Sequence, residues 1–395
     1  MNFKKSDKVF EWMKETSFAV SEAKQERGAG YSNRTVDKYK YDFHRAMKIV
    51  EEKTGKNDPN KVRPNDIYNF VYAPMIEEYK QGKTEHASFL RGLDDALHAF
   101  AQASKASGVY KREIRTCDKR KTSQMLNENK VFRYSKDTTV MQATREDKEK
   151  VVEQLLLMKE KTNSEGKKQK IDAAINVLDL ELATGRRISA LLRSHVDNYD
   201  KETGQYTTFG DKGGKDNESY FLTSEAKEIL DRVTEGKNGG AMIFTIKYSK
   251  NHPDPNKRGQ DKPVESMRKE VSALIKDAAE KAGVNRDGQK FSSHACRKGF
   301  AEERALDYIK NMSADERRAE LQRRRDIDPR FNARIEKVMD HIKSKFKNKT
   351  KAANRQFTDK EIIQLLVSSD INHSRKDVMR YYLGEEFWES VEDLL

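Results

Sequence analysis

The segment His373-Ser374-Arg375-Lys376-Asp377-Val378-Met379-Arg380-Tyr381-Tyr382-Leu383-Gly384 sets a histidine nine residues ahead of a tyrosine. Two earlier segments complete it, Ala183-Thr184-Gly185-Arg186-Arg187-Ile188-Ser189 and Ser293-His294-Ala295-Cys296-Arg297. Together they supply two arginines, two histidines and a tyrosine in a fixed order. That set suits phosphoryl transfer to a tyrosine hydroxyl. Each arginine presents a planar fork of donors to phosphate oxygens. The histidines donate hydrogen bonds or move protons near neutral pH. The tyrosine is a nucleophile able to hold a covalent phosphoryl intermediate. Taken singly, each has an ordinary explanation: a surface arginine past a helix end, a His294/Arg297 pair on one helix face, a capping histidine, a packed tyrosine. Order and spacing favour the joint reading.

The elements that must position these residues are mainly helical. A short helix carries Val9, Phe10 and Met13, and Gly28-Ala29-Gly30 breaks it. A second starts near Ser32 to Thr35, with Val36, Tyr39, Phe43, Met47 and Val50 stepping by three and four. A long one follows Thr84, bearing Phe89, Leu93, Leu97, Phe100 and Ala103 on one face. Residues 1–128 therefore read as a small all-helical domain and 129–141 as a linker. Thr144-Arg145-Glu146-Asp147 is a capping-box start for a helix with Val151, Val152, Leu155 and Leu156. A buried helix with Ile171, Ala174, Ile175, Leu178 and Leu182 stops at Gly185. Tyr206 to Phe209 and Ser219 to Leu222 read as strands around the loop Gly210-Asp211-Lys212-Gly213-Gly214-Lys215-Asp216, with Ala241 to Thr245 as a third. A helix with Met267, Val271, Leu274, Ile275 and Ala278 ends at Gly283, and Thr358-Asp359-Lys360-Glu361 opens another with Ile362, Leu365 and Leu366. No repeat of fixed period is present.

The 395 residues suffice for two or three domains. A formal net charge of +13 with 36% charged residues puts a basic excess on surfaces, which points to nucleic acid before an anionic membrane. No apolar run approaches the roughly 20 residues of a membrane span. Charged residues follow Met1-Asn2-Phe3, in place of an apolar signal core. Two cysteines, Cys117 and Cys296, suggest a reducing cytoplasm and no structural disulfide. Lys111 to Lys121 holds six basic residues against two acidic ones, a solvated loop or a phosphate-tracking segment.

At this point the chain resembles the tyrosine recombinases, the phage integrase class of site-specific DNA recombinases, over nearly its whole length. The N-terminal likeness is compositional; the C-terminal one is specific. Ala183 to Ser189 resembles the family's first-arginine motif, in which the arginine before Ile-Ser is catalytic, so Arg187 is preferred to Arg186. Asp211-Lys212-Gly213-Gly214-Lys215-Asp216 resembles the β-hairpin lysine loop, whose first lysine falls on Lys212. Ser293 to Arg297 resembles the His-x-x-Arg box. Asn372-His373-Ser374 resembles the Gly-His-Ser that leads to the nucleophile, which selects Tyr382 over Tyr381. Three departures stand out. Ala190 occupies a usually acidic position, and Asn372 replaces a glycine, a mild change because Asn tolerates left-handed backbone. The interval from Arg297 to His373 is also long, implying an insertion near 305–357 that contains Arg323-Arg324-Arg325 and the lysine-rich Lys343 to Lys351. That insertion reads as a solvated excursion, an extra DNA-backbone contact or a protomer contact.

The resemblance implies a mainly α fold with a small β-sheet: an all-helical core-binding (SAM-like) N-terminal domain, 1–128, and a mixed α/β catalytic domain, 142–395. Arg187 and Arg297 would grip the scissile phosphate and stabilise the transition-state charge. Tyr382, with an ordinary pKa of about 10, would attack phosphorus and form a 3′-phosphotyrosine, with His294 as its base and the arginines easing the phenolate. Lys212 would protonate the leaving 5′-hydroxyl, and His373 would orient the phosphate. No cofactor, metal or ATP is expected; carboxylates of metal-site spacing and a Gly-x-x-x-x-Gly-Lys-Ser/Thr loop are absent from the sequence. The implied partner is double-stranded DNA, held mainly through phosphates by both domains as a clamp. The tail Glu385 to Leu395, with Phe387, Val391, Leu394 and Leu395, would join protomers into a tetramer on two DNA sites, or pack on its own domain. The expected location is cytoplasmic, on the nucleoid. The alternative is a DNA-binding regulator that keeps the fold without recombining; a telomere resolvase or type IB topoisomerase ranks behind it on length and layout.

Overall fold

The computed structural model describes residues 1–20, 30–83, 85–116, 118–131, 140–211, 215–218, 222–286, 288–344, 350, 354–373 and 376–395. The chain is mainly α with a small β-sheet, and it divides into two compact units, Met1–Ser135 and Lys136–Leu395. Among the described residues no helix is long and apolar enough to cross a membrane.

The first unit is helical. Helix α1 (Lys4–Glu15) buries Val9, Phe10 and Met13. Helix α2 (Asn33–Thr54) starts where the Ser32 hydroxyl accepts the Thr35 N–H, and it stops at Gly55, whose φ is 69°. Helix α3 runs Pro64–Ile67, passes through a π-helical turn Tyr68–Tyr72 and continues Ala73–Lys80. Helix α4 (His86–Ala106) is its central element, and α5 (Lys119–Glu128) closes the unit. Phe10, Phe43 and Phe100 pack together at the centre, the Phe43 and Phe100 ring centroids 4.2 Å apart and Phe10 edge-on to Phe43. Of the basic run, Lys111, Arg112, Arg115, Arg120 and Lys121 are exposed, while Ile114 anchors the segment, its N–H donating to Ser104 Oγ.

In the second unit, α6 (Arg145–Glu160) begins at the Thr144–Asp147 capping box. Its buried apolar positions are Val151 and Leu155; Leu156 is exposed. Helix α7 (Glu165–Thr184) is the buried strut of the unit and ends at Gly185. After α8 (Ile188–Leu191), the strands β1 (Tyr199–Asp200), β2 (Gln205–Asp211) and β3 (Lys215–Glu218) form one antiparallel sheet in the order β1-β2-β3. The sheet departs from expectation at Ala241 to Thr245. β2 pairs with Lys215–Glu218, and of the expected strand Ser219 to Leu222, residues Ser219 to Phe221 lie outside the described residues. Ala241 to Thr245 is not a strand: it makes one isolated bridge, His195↔Met242, because its Ile243 and Phe244 side chains sink into the core instead of alternating across a sheet.

Helices α9 (Ser224–Thr234), α10 (Val264–Lys281) and α11 (Ser293–Asn311) follow. Helix α11 separates two apolar cores. One gathers α6, α7, α9 and α10; the other includes Phe300, Tyr308, Ile363, Leu366 and Trp388. Gly299 on α11 lies against the chain before α6, where a Cβ would sit 2.1 Å from Ala143 O.

The expected excursion is largely two further helices, α12 (Ala314–Ile327) and α13 (Pro329–Ser344). Ser313 and Glu316 form a capping box for α12, and Arg317, Leu321 and Arg324 are buried beneath it. Arg324, the middle of the Arg323-Arg324-Arg325 triplet, is 1% exposed; Arg323 pairs with Glu320, and Arg325 Nε donates to Asn332. Of the lysine-rich stretch, 345–349 and 351 lie outside the described residues. Helix α14 (Asp359–Asp370) starts at the Thr358–Glu361 capping box, and α15 (Glu385–Ser390) ends the helices. Phe387, Trp388 and Val391 pack on their own unit, whereas Leu394 and Leu395 are exposed.

Candidate active site around Tyr382

The first arginine is placed by a helix stop. Gly185 ends α7 with φ 62°, and a Cβ there would meet Phe300 Cδ1 at 2.3 Å. Both facts require glycine. The chain then turns, and Arg187 stands extended as the N-cap of α8, half-buried. A short run after α14 places the first atoms of the other wall. Ile371 N bonds Val367 O, Asn372 takes φ 51°, and His373 N bonds Ser368 O at 2.8 Å. Asparagine thus holds the left-handed position expected of the glycine it replaces.

His294 and Arg297 lie one turn apart at the start of α11. Arg297 is fully buried and ties the three segments together: Nη1 donates to Gly185 O, Nη2 to Ile371 O, and Nε to the Tyr382 hydroxyl at 3.4 Å. Tyr382 follows a 3₁₀ turn, Lys376–Tyr381, and is wedged by the buried Met379 and Leu383. Its neighbour Tyr381 is turned to Arg380, whose Nη2 donates to the Tyr381 hydroxyl at 2.7 Å.

The Tyr382 hydroxyl lies 2.9 Å from His373 Nε2, and Arg187 Nη2 lies 3.2 Å from that same nitrogen. Arginine only donates, so this nitrogen accepts. The network therefore assigns His373 as neutral with its proton on Nδ1, and it makes the Tyr382 O–H the donor to Nε2. His294 contacts Tyr382 edge-on, ring centroids 5.9 Å apart. The structure thus brings Arg187, His294, Arg297, His373 and Tyr382 together. Lys212 lies outside the described residues, between β2 and β3.

Glu181, which the motifs did not single out, lies under this cluster. It is buried in the last turn of α7, and its Oε1 accepts the Ile188 N–H at 2.8 Å, bracing the loop that carries Arg187. Burial pushes its carboxyl up to about 8, against the Ile188 N–H and the Arg297, Ser293 and Arg187 groups that face it. At position 190, where an acid was absent from the sequence pattern, Ala190 is buried. The signal for Glu181 was a carboxylate flanked by Leu180 and Leu182 on a helix read as buried. Cys296 is also buried, which raises its thiol well above the usual value and makes it a packing residue.

No family model matches the chain, and no curated protein matches it. Solved structures do align. XerH site-specific recombinase bound to a palindromic difH substrate has a TM-score of 0.48 at 15% identity, covering 99% of this chain and 88% of that one. A lambda integrase (75–356) dimer bound to a COC' core site has a TM-score of 0.45 at 14% identity, covering 78% of this chain and 90% of that one. The Tn1549 transposon integrase in complex with transposon right end DNA has a TM-score of 0.44 at 12% identity, covering 98% of each chain.

Proposed function

We propose that this chain is a tyrosine-type DNA strand transferase, a site-specific recombinase or integrase. The observation that carries the reading is that Arg297 and His373 converge on the Tyr382 hydroxyl and Arg187 joins them through His373 Nε2, from three separate segments. In the proposed reaction Tyr382 oxygen attacks a DNA phosphorus as its proton passes to His373 Nε2, the nitrogen already accepting it. This shifts the base role from His294, the expected base, to His373. His294, edge-on to the phenol, then takes a share of the phosphate. The phosphorus–5′-oxygen bond breaks, and Lys212 supplies the proton to the leaving oxygen. Arg187 and Arg297 hold the non-bridging oxygens as charge accumulates. The 3′-phosphotyrosine keeps the bond energy, so the reverse attack by a 5′-hydroxyl rejoins a strand.

The substrate is double-stranded DNA. The net charge of +13 supports contacts to phosphates, and the exposed Lys111, Arg112, Arg115, Arg120 and Lys121 offer them in the first unit. Self-association on two DNA sites, to a tetramer, is part of this reading, with the exposed Leu394 and Leu395 at the contact.

Covalent trapping tests it. The protein is incubated with a nicked suicide duplex of its own attachment region, and an SDS-resistant adduct is sought beside Tyr382→Phe. An adduct in the wild type that Tyr382→Phe abolishes, with equal gel shifts, supports the reading. Tight binding with no adduct assigns the chain to the regulators.

A further inference from the structure

The site is gripped from one side by Arg297. The same turn of chain is gripped from the other side by the insertion. On α12, Arg324 Nη1 donates to Leu366 O at 3.1 Å, to Ser369 Oγ at 3.1 Å and to Asp370 Oδ1 at 2.9 Å. Its Nη2 donates to the Tyr308 hydroxyl at 2.7 Å, and its Nε to Glu320 at 2.7 Å. The Tyr308 hydroxyl accepts from Arg304 as well and donates to Asp370 Oδ2 at 2.7 Å. Burial, with Asp370 next, pushes the Tyr308 phenol up, so it stays a donor. Burial, the largest influence, would lower the Arg324 guanidinium; Asp370, Glu320 and the other partners together outweigh it, and the charge is kept. Two turns earlier, Arg317 forks onto Asp359 at the other end of α14 and donates to Tyr308 O at 2.8 Å.

The insertion is therefore bolted to both ends of α14. The bolt at its C-terminal end, Leu366 to Asp370, directly precedes Ile371, whose carbonyl holds Arg297, and His373, which meets Tyr382. We infer that Arg324 and Asp370 are positioning residues: the insertion helix α12 sets the placement of His373 against Tyr382, acting through the last turn of α14. This rests on the strand-transfer reading for its rate consequence, but its structural consequence stands apart from that reading.

Two variants and two readouts test it. Arg324→Lys keeps the charge and loses the fork that spans Leu366, Ser369, Asp370 and Tyr308. Asp370→Asn keeps the shape and approaches the same contact from α14, should the first variant fold poorly. Folded protein of either variant is compared with wild type by nitrogen-15 histidine NMR, with the His373 signals assigned through His373→Gln. The expected result is a displaced His373 imidazole with an altered titration, while His44 of the first unit is unchanged. His373 signals that superimpose on wild type overturn the inference, whether or not the protein cleaves DNA.

The second readout is single-turnover cleavage at saturating duplex. Arg324→Lys is expected to slow the chemical step about 10- to 100-fold with the DNA Kd held within about twofold. In a His373→Gln background the same change is expected to cost less than about twofold, because its route to the chemistry is already gone. An equal loss in both backgrounds marks a general packing role and overturns the inference. A wild type that forms no adduct refutes the proposed function and leaves the NMR comparison to decide this one.

Discussion

Helix α11 carries two buried arginine–tyrosine clusters, and they are built to different ends. At its N-terminal turn Arg297 meets Tyr382; two turns on, Arg304 meets Tyr308. In the second cluster a carboxylate, Asp370, closes the charge of Arg304 and Arg324, and Tyr308 donates to it. In the first, the acceptors named for Arg297 are two carbonyls and a hydroxyl. The carboxylate beneath it, Glu181, is pushed up to about 8 by burial and is mostly protonated at neutral pH. One cluster is a closed ionic joint. The other sets its guanidinium beside the Tyr382 hydroxyl, above a carboxyl that burial favours in its protonated form, an arrangement suited to the proposed phosphate contact. The same residue types thus make an ionic joint at Asp370 and, in the proposed reading, a phosphate site at Tyr382.

Arginine substitutions in the two clusters should trade places. Arg297→Ala is expected to lower single-turnover cleavage by about 10³-fold, the scale of a lost transition-state donor, and to cost about 1–3 kcal/mol of stability from two buried carbonyls left without their donor. Arg324→Ala is expected to cost about 3–5 kcal/mol in urea unfolding, because Asp370 is left buried and charged. Equal stability losses in the two variants would break the comparison.

The pH dependence sharpens it. The Glu181 carboxyl rises from an ordinary 4.5 to about 8 on folding, so the native state binds the extra proton between those values. Its contribution is fully present below pH 4.5 and is lost as pH rises through about 8. Urea unfolding from pH 5 to pH 8 should therefore show wild type losing, relative to Glu181→Gln, on the order of a few kcal/mol. A difference independent of pH would mean that Glu181 is ionised in the fold. The smallest effect is expected at Gly185. Gly185→Ala adds about 1–2 kcal/mol of left-handed strain and pushes on Phe300, lowering stability and displacing the Arg187 loop; an unchanged unfolding midpoint would contradict this placement.

Much of this was legible in the residues. Periodicity and caps located α2, α6, α7 and α14, because those signals are local: Ser32, Thr144 and Thr358 each accept from their own third residue. Order and spacing singled out the three segments that come together around Tyr382, and the resemblance to the recombinase motifs chose Arg187 and Tyr382 over their neighbours. What escaped was long-range. Arg324 and Asp370 are 46 residues apart, and a triplet of arginines looks exposed until its distant carboxylate is seen. Glu181 was hidden in an apolar helix face. The start of α12 could have been found, since Ser313 and Glu316 carry the same capping signature used elsewhere. The strand misplaced at Ala241 to Thr245 shows the converse limit: an apolar run of strand length buries equally well as irregular chain.

The central claim is that the hydroxyl held by His373 and Arg297 becomes the phosphoryl acceptor. The most direct measurement is fragmentation mass spectrometry of the trapped adduct after nuclease and protease digestion. The account predicts a 3′-linked nucleotide on Tyr382, with none on its neighbour. A nucleotide on Tyr381, or an adduct that persists in Tyr382→Phe, would contradict it.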